Sequence, residues 1–290
     1  MPEGDTIHCT AERLHAALAG QSVVRAESRA SQVRALEPGR LVGQTVRRVE
    51  ARGKHLLAWF APSGLALHTH LGMHGSWHVY APDQPWRKPA QRAVMRLDAG
   101  ERVAVCFHPR TCELLTAAQV AGHAGLSALG PDALAAVEAG GADLAEARRR
   151  LDARRGWAIA EALLDQAVLA GVGNVYKCEV LFVCGVDPWA RVGDLDAATR
   201  DALLAAAERL LRANAGPQRR RRTTTGSPAP SPSQRLHVYG RPRRPCPRCA
   251  TPVRVARQGE QARVTYWCPR CQGPGAEPAV ATAPTGRVVG

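Results

Sequence analysis

Residues 246–249 read Cys-Pro-Arg-Cys, and residues 268–271 repeat it after 18 intervening residues. No other feature limits so tightly what the chain can fold into. Four thiolates surround one Zn²⁺ tetrahedrally, and two CxxC pairs meet only when the segment between them doubles back. That segment, TPVRVARQGEQARVTYW, suits a β-hairpin, with two alternating stretches around Gln258-Gly259-Glu260. The spacing therefore predicts one structural zinc ion held by Cys246, Cys249, Cys268 and Cys271. Four Cys ligands leave no open coordination position, and so small a module needs its metal to fold. A redox role for either pair lacks the βαβ setting it requires. The remaining five of nine cysteines (Cys9, Cys106, Cys112, Cys178, Cys184) stand singly and read as reduced thiols without a special role.

The charge around the pairs is one-sided. Residues 235–270 contain nine Arg and one acidic residue, Glu260, so they carry +8 of the chain's net +14. Such an excess points first to a polyanion, most simply nucleic acid. A basic secreted protein or a membrane-surface binder is the rival. The opening MPEGDTIHCTAERLHAAL lacks the basic start and apolar core of a signal peptide, and no run of 18 apolar residues occurs. The expectation is a cytoplasmic protein, associated with the nucleoid, with no membrane contact. Of 39 cations 36 are Arg, so Lys54, Lys88 and Lys177 stand out by their rarity.

At 290 residues the chain is long enough for about two domains and a sizeable core. Ile7, Ala11, Leu14 and Leu18 have helical spacing, and Gly20 ends that run. From about 22 to 108, segments such as TVRRVEARG, KHLLAWF, LALHTHLG and RVAVCF read as strands between turn residues. From about 126 the chain turns Ala/Leu/Glu/Arg-rich and helical. The expected organisation is α+β and multidomain. A helix plus β-sandwich spans 1–125, a helical domain 126–216, a flexible Arg/Pro-rich loop 217–234, the zinc hairpin 235–272 and a disordered tail 273–290.

The N-terminus offers chemistry. Removal of Met1 leaves Pro2 as a secondary amine. A terminal amine has a pKa near ~8 against ~10.4 for Lys, so more of it is neutral and nucleophilic. At the positive end of a helix the ammonium is further disfavoured. Such an amine attacks an aldehydic carbon to form an iminium, with Glu3 beside it as acid or base. On the dipeptide alone, a start without chemistry is the simpler reading. Likewise Lys54 and Lys177 alone read as solvated cations, Asn174 as a helix cap, and Met73 as core.

Taken together and in order, the motifs say more. PEGDT (2–6), RGKHLL (52–57), HLGMHG (70–75), LLDQAVLAGVGNVYKCEVLF (163–182) and VYGRPRRPCPRC…ARVTYWCPRC (238–271) resemble the bacterial formamidopyrimidine-DNA glycosylase / endonuclease VIII family. The opening is most similar to actinobacterial endonuclease VIII-like proteins. The resemblance implies an N-terminal helix plus β-sandwich, a helix–two-turn–helix domain and a zinc finger. It implies a monomeric bifunctional DNA glycosylase/AP lyase of base excision repair acting on damaged double-stranded DNA. Pro2 would attack C1′, with β,δ-elimination following, Glu3 would move protons, and Lys54 would hold phosphate and assist. Asn174 and Arg263 would bind phosphates, Arg110 would enter the duplex, and Met73 would fill the gap left by an extruded base. Lys177, a rare lysine one turn after Asn174, is expected from its position to add a phosphate contact.

The chain departs from the family pattern in two places. Cys112 stands where the purine-specific branch has an aromatic wedge, and Thr6 replaces a usual Glu. HLGMHG nonetheless resembles the purine branch. The reading favours oxidised pyrimidines, such as thymine glycol and hydroxylated uracil or cytosine. Oxidised purines (8-oxoguanine, formamidopyrimidine) are the alternative. A non-catalytic damage-binding zinc protein is the rival from another class. An RNA-directed role has little support, since Phe, Tyr and Trp total only 13 and supply few stacking platforms.

Overall fold

The structure is a computed structural model that describes residues 2–28, 37–135, 141–216, 222–225, 231 and 234–273. Of the loop expected over 217–234 only residues 222–225, 231 and 234 are among them, and of the tail over 273–290 only Gly273. Contacts divide the chain into two units: 1–143 with 169–172 and 211–220, and 144–168 with 173–210 and 221–290.

The first unit begins with helix α1 (Gly4–Leu18), which buries Ile7, Ala11, Leu14 and Leu18, the four positions predicted from spacing. Each large apolar side chain so buried contributes about 1.5–3 kcal/mol. Eight strands follow: β1 (Val23–Ser28), β2 (Thr45–Arg52), β3 (His55–Ala61), β4 (Ala66–His70), β5 (Ser76–Tyr80), β6 (Ala93–Ala99), β7 (Arg102–Phe107) and β8 (Thr111–Leu115). They form two four-stranded antiparallel sheets, ordered β1-β6-β7-β5 and β2-β3-β4-β8. One core takes Met95, Leu97 and Trp77 from the first sheet, Val46, Leu56, Phe60 and Leu67 from the second, and the apolar stripe of α1. This is the expected helix plus sandwich.

The second sheet is covered on both sides. Its outer face carries Leu57, Ala66 and Leu115. Two short helices, α2 (Ala117–Gly122) and α3 (Ala124–Ser127), set Val120 and Leu126 against them. That explains why β3 reads HLLAWFA without alternation: Leu56, Leu57, Ala58 and Phe60, from both faces, are buried. Thr116 starts α2 with a reciprocal capping box to Gln119.

The second unit holds α4 (Leu144–Asp152), α5 (Ile159–Ala162), α6 (Asn174–Cys184), most of α7 (Ala197–Arg212), and the antiparallel pair β9 (Arg254–Gln258) and β10 (Arg263–Trp267). Helix α6 is apolar nearly all round and buried from Asn174 to Phe182. Gly185, at φ +70, ends it in the left-handed conformation that glycine adopts without strain. Cys178 and Phe182 of α6 pack with Val238, Val253, Cys246 and Cys268 into the core beneath the hairpin. Among the described residues no helix is long and apolar enough to cross a membrane.

Candidate active site and metal centre

The N-terminal residues are fixed by backbone. Pro2 is half-buried and Glu3, the residue before α1, is fully buried. The Gly4 N–H donates to the Gly171 carbonyl at 2.9 Å. The approach is so close that a Cβ on Gly4 would stand 2.8 Å from the Gly171 Cα. Gly171 itself sits at φ +103. Pro2 thus precedes the positive end of a 15-residue helix.

Lys54 reaches the same backbone from another direction. Arg52 pairs with His55, so Gly53-Lys54 is a two-residue hairpin turn. Gly53, at φ +56, occupies its first central position, where glycine is favoured. The Gly53 N–H donates to Asp132 Oδ2 at 2.7 Å, and Lys54 Nζ donates to the Val172 carbonyl at 2.5 Å. Adjacent carbonyls, 171 and 172, therefore hold the start of α1 and the Lys54 ammonium. The segment Pro2-Glu3-Gly4 and the Lys54 cation are thus tied to neighbouring carbonyls of one backbone stretch.

The β4–β5 connection forms a second feature of this unit. Met73 is 61% exposed, far from a core methionine. Gly72, at φ +60, lies under Arg110, whose Cβ is 3.0 Å from where a Gly72 Cβ would stand. Arg110 is exposed and its N–H donates to the His70 carbonyl at 2.8 Å. A cation and an exposed apolar side chain thus sit on neighbouring turns. Cys112 packs against the sandwich core, and burial with nearby Glu113 pushes its thiol up to about 12. It offers nothing at the surface where an aromatic wedge would stand. Lys88 donates to Ser76 Oγ at 2.7 Å.

In the second unit, Asn174 opens α6. Its Nδ2 donates to the Val264 carbonyl at 2.8 Å, while Oδ1 is buried without a hydrogen-bond partner. Lys177 differs from its expected role. It is 1% exposed, and its Nζ donates to Thr265 Oγ1 at 2.7 Å and the Val264 carbonyl at 3.2 Å. The ammonium ties β10 to α6, and burial keeps it from a phosphate in solvent. Arg263 begins β10, exposed, with its guanidinium on Gln261 Oε1. Tyr266 packs on Tyr239 and Trp267 on Trp189.

The four cysteines converge. Their Sγ atoms lie within 4.8 Å of one another, with separations of 3.8 Å (246–271), 3.4 Å (249–268) and 3.4 Å (249–271). Zinc–sulfur bonds of about 2.3 Å give a tetrahedral sulfur–sulfur edge near ~3.8 Å, so this donor set fits such an ion.

Residues 1–112 match the formamidopyrimidine-DNA glycosylase N-terminal domain, and 129–221 match the formamidopyrimidine-DNA glycosylase H2TH domain. A probable endonuclease 8 2 from Streptomyces coelicolor is 44% identical over 285 residues, 96% of each chain. The chain belongs to the formamidopyrimidine-DNA glycosylase / endonuclease 8 family. A further member, the DNA-(apurinic or apyrimidinic site) lyase Nei2 of Mycolicibacterium smegmatis, is 37% identical, covering 94% of this chain and 99% of that one. The fold is that of Lactococcus lactis formamidopyrimidine-DNA glycosylase bound to AP-site DNA. That structure superposes at a TM-score of 0.77 with 22% identity, over 94% of this chain and 100% of that one.

Two carboxyls that hold these segments in place, one in each unit, escape a reading of the sequence. Asp132 holds the Gly53 turn with one oxygen and the Leu134 N–H with the other. Glu179 is fully buried and accepts N–H bonds from His237, Val238 and Tyr239 at 2.7–2.9 Å. Burial alone raises a carboxyl, but the bonds from His237, Thr224 and the Tyr239 N–H outweigh it and hold Glu179 below its ordinary value. The signal for Glu179 was an acidic residue inside the apolar run of α6. Asp132, 79 residues from Gly53, carried none.

Proposed function

We propose that this chain excises oxidised pyrimidines from double-stranded DNA as a monomeric bifunctional glycosylase/AP lyase of base excision repair, working inside the cell. The supporting observation is that Gly4, directly after Pro2-Glu3, and Lys54 bond to the adjacent 171 and 172 carbonyls. The pyrimidine reading is supported by the likeness of the opening motif to endonuclease VIII-like proteins and by Cys112, which packs on the sandwich core where an aromatic wedge would stand.

With Met1 removed, the Pro2 nitrogen bonds to C1′ of the damaged nucleotide. The glycosidic bond breaks, and the base leaves with its electron pair and a proton. The sugar ring opens to an iminium at C1′, which acidifies the C2′ proton. Glu3 takes protons from the sugar and returns them to leaving oxygens. Expulsion of the 3′-phosphate and then the 5′-phosphate completes β,δ-elimination. Lys54, a compact ammonium, neutralises phosphate as charge develops there.

The remaining residues bind and open the duplex. Arg110 and Met73, on neighbouring turns, enter the space of the extruded nucleotide. Asn174 and Arg263 bind backbone phosphates, and Lys177 contributes indirectly by holding β10 on α6. Zinc held by Cys246, Cys249, Cys268 and Cys271 stabilises the hairpin and supplies no reaction step. In this reading residues 1–125 carry the chemistry, while 126–216 and 235–272 hold DNA.

Borohydride trapping tests the proposal. Duplexes carrying an abasic site, thymine glycol, 5-hydroxyuracil or 8-oxoguanine are incubated with the protein and with Pro2→Gly, after mass spectrometry of the N-terminus. A covalent adduct at Pro2 on abasic and pyrimidine duplexes is the expected result. Preferential trapping on 8-oxoguanine would reassign the lesion. No adduct on any duplex, with Met1 absent and zinc bound, would leave a damage-binding zinc protein.

A further inference from the structure

The outer face of the β2-β3-β4-β8 sheet is apolar at one end and rich in imidazole at the other. Cross-strand partners share a face. Leu57 pairs with His68, His68 with Glu113, and His55 with His70. The chain then leaves β8 and crosses this face through α2 and α3. His123 is the single residue joining those helices. Its Nε2 lies 3.1 Å from Glu113 Oε1, and the same oxygen lies 2.7 Å from His68 Nδ1. His68 is 1% exposed, and none of these groups takes part in the chemistry above.

The hydrogen-bond pattern fixes the protons. His123 Nδ1 accepts from the Gly125 N–H, so its proton is on Nε2 and points at Glu113. His68 Nδ1 also donates to Glu113, so its Nε2 accepts from His55 Nδ1 at 2.8 Å. Two imidazole N–H groups from distant segments thus aim at one carboxylate oxygen. Such an arrangement leaves the place of two protons open to one cation.

We propose that His68, Glu113 and His123 form a second metal site, for a divalent transition ion such as Zn²⁺. Three donors, one each from β4, β8 and the α2–α3 junction, lie within 4.8 Å of one another. Zinc–nitrogen and zinc–oxygen bonds of about 2.0–2.2 Å set ligand edges near ~3.3 Å, so each imidazole nitrogen needs to part from Glu113 Oε1 by only about 0.2–0.6 Å, and the two nitrogens already lie within 4.8 Å of each other. Two imidazoles and a carboxylate select zinc-like ions over Mg²⁺ or Ca²⁺. On loading, the His68 proton moves to Nε2 and the His55 proton moves from Nδ1 to Nε2, so that His68 now donates to His55 Nδ1, the outer-sphere partner that ligating histidines require. The His123 proton moves from Nε2 to Nδ1, which frees Nε2 for the metal; Nδ1 then gives up its exposed Gly125 bond and donates to water. Burial, with the neighbouring His70, His68, His123 and Lys54, holds His55 down to about 3. This is an open, three-ligand site, unlike the closed four-cysteine one, and it pins the α2–α3 crossing onto the sheet.

Metal content of the purified full-length protein, after zinc loading and dialysis, tests this. Two equivalents are expected in the wild type and one in both His123→Ala and Glu113→Gln. Each variant weakens the second site at least tenfold. Cobalt substitution keeps the sites apart, because only the cysteine site gives intense thiolate-to-metal bands, which should persist in both variants. One equivalent in the wild type, or two in both variants, overturns the proposal. Should a variant fail to fold, anomalous diffraction at the zinc edge from wild-type crystals decides. A peak among His68, Glu113 and His123 supports the site, and a peak at the cysteines alone sinks it.

Discussion

Gly4 and Gly171 meet backbone to backbone. The Gly4 N–H donates to the Gly171 carbonyl at 2.9 Å, and a methyl group on Gly4 would come within 2.8 Å of the Gly171 Cα. Neither side of this contact is a flexible side chain, so an added carbon has to displace the start of α1 and Pro2 with it. Gly4→Ala is expected to destabilise the protein by about 1–3 kcal/mol through overpacking. Misplacing a nucleophile by about 1 Å costs on the order of 10²-fold in rate. Single-turnover cleavage of abasic DNA, beside a thermal melt, checks both. An unchanged cleavage rate would show that Pro2 is not positioned through Gly4.

Lys54→Arg keeps the charge and loses the geometry. The Lys54 ammonium fits a turn of two residues and donates to the carbonyl of Val172. A planar guanidinium, bulkier than an ammonium and with its donors fixed in a fork, cannot reproduce that point contact. Lyase turnover is expected to fall on the order of 10-fold to 10²-fold, a hydrogen bond to a charged group being worth about 1.5–3 kcal/mol. Stability should hold. Comparing kcat and KM for Lys54→Arg and Lys54→Ala on abasic DNA checks this, with retention of full rate by the Arg variant the contrary result.

Met73→Ala separates base extrusion from strand cleavage. Met73 is exposed, so its loss should alter stability by less than about 0.5 kcal/mol. An apolar wedge offsets part of an unstacking cost of a few kcal/mol, so glycosylase rate on a base lesion should fall on the order of tenfold. Cleavage of a pre-formed abasic site, which needs no base extruded, should change little. Equal loss on both substrates would assign Met73 to binding in general.

Glu179 makes the second unit sensitive to acid. Its carboxyl is held below the ordinary value of 4.5 by His237, Thr224 and backbone N–H groups, against the opposing effect of burial. A depressed carboxyl contributes stability fully above its unfolded pKa, and that contribution is lost as pH falls through the folded value. Wild-type stability should therefore decline as pH drops below about 4.5, in addition to any general acid effect. Glu179→Gln puts an amide NH₂ among N–H donors and should cost about 3 kcal/mol at pH 7. Urea titrations from pH 7 to pH 3 should show the gap between the two proteins narrowing toward acid. A gap independent of pH would mean that Glu179 is not ionised in the fold.

Much of this protein was determined by local sequence alone. Helix α1 follows from four apolar residues at helical spacing, and its stripe is buried as spaced. The strands follow from short apolar runs between turns, and the four-cysteine cluster from two CxxC pairs around a hairpin. Each depends on periodicity or spacing within a few dozen residues, which the chain states directly. The tertiary structure decided what lies across long loops. Asp132 under the Gly53 turn, Gly171 against Gly4, and His123 against Glu113 and His68 are contacts between segments whose separation carries no periodic signal. Lys177 shows the limit best. Its rarity among arginines sets it apart in the sequence, but only the packing of β10 on α6 put its ammonium inside. Residue type and spacing set what chemistry a side chain can do. Burial and the partners brought by folding set whether that chemistry faces a ligand or the protein's own core.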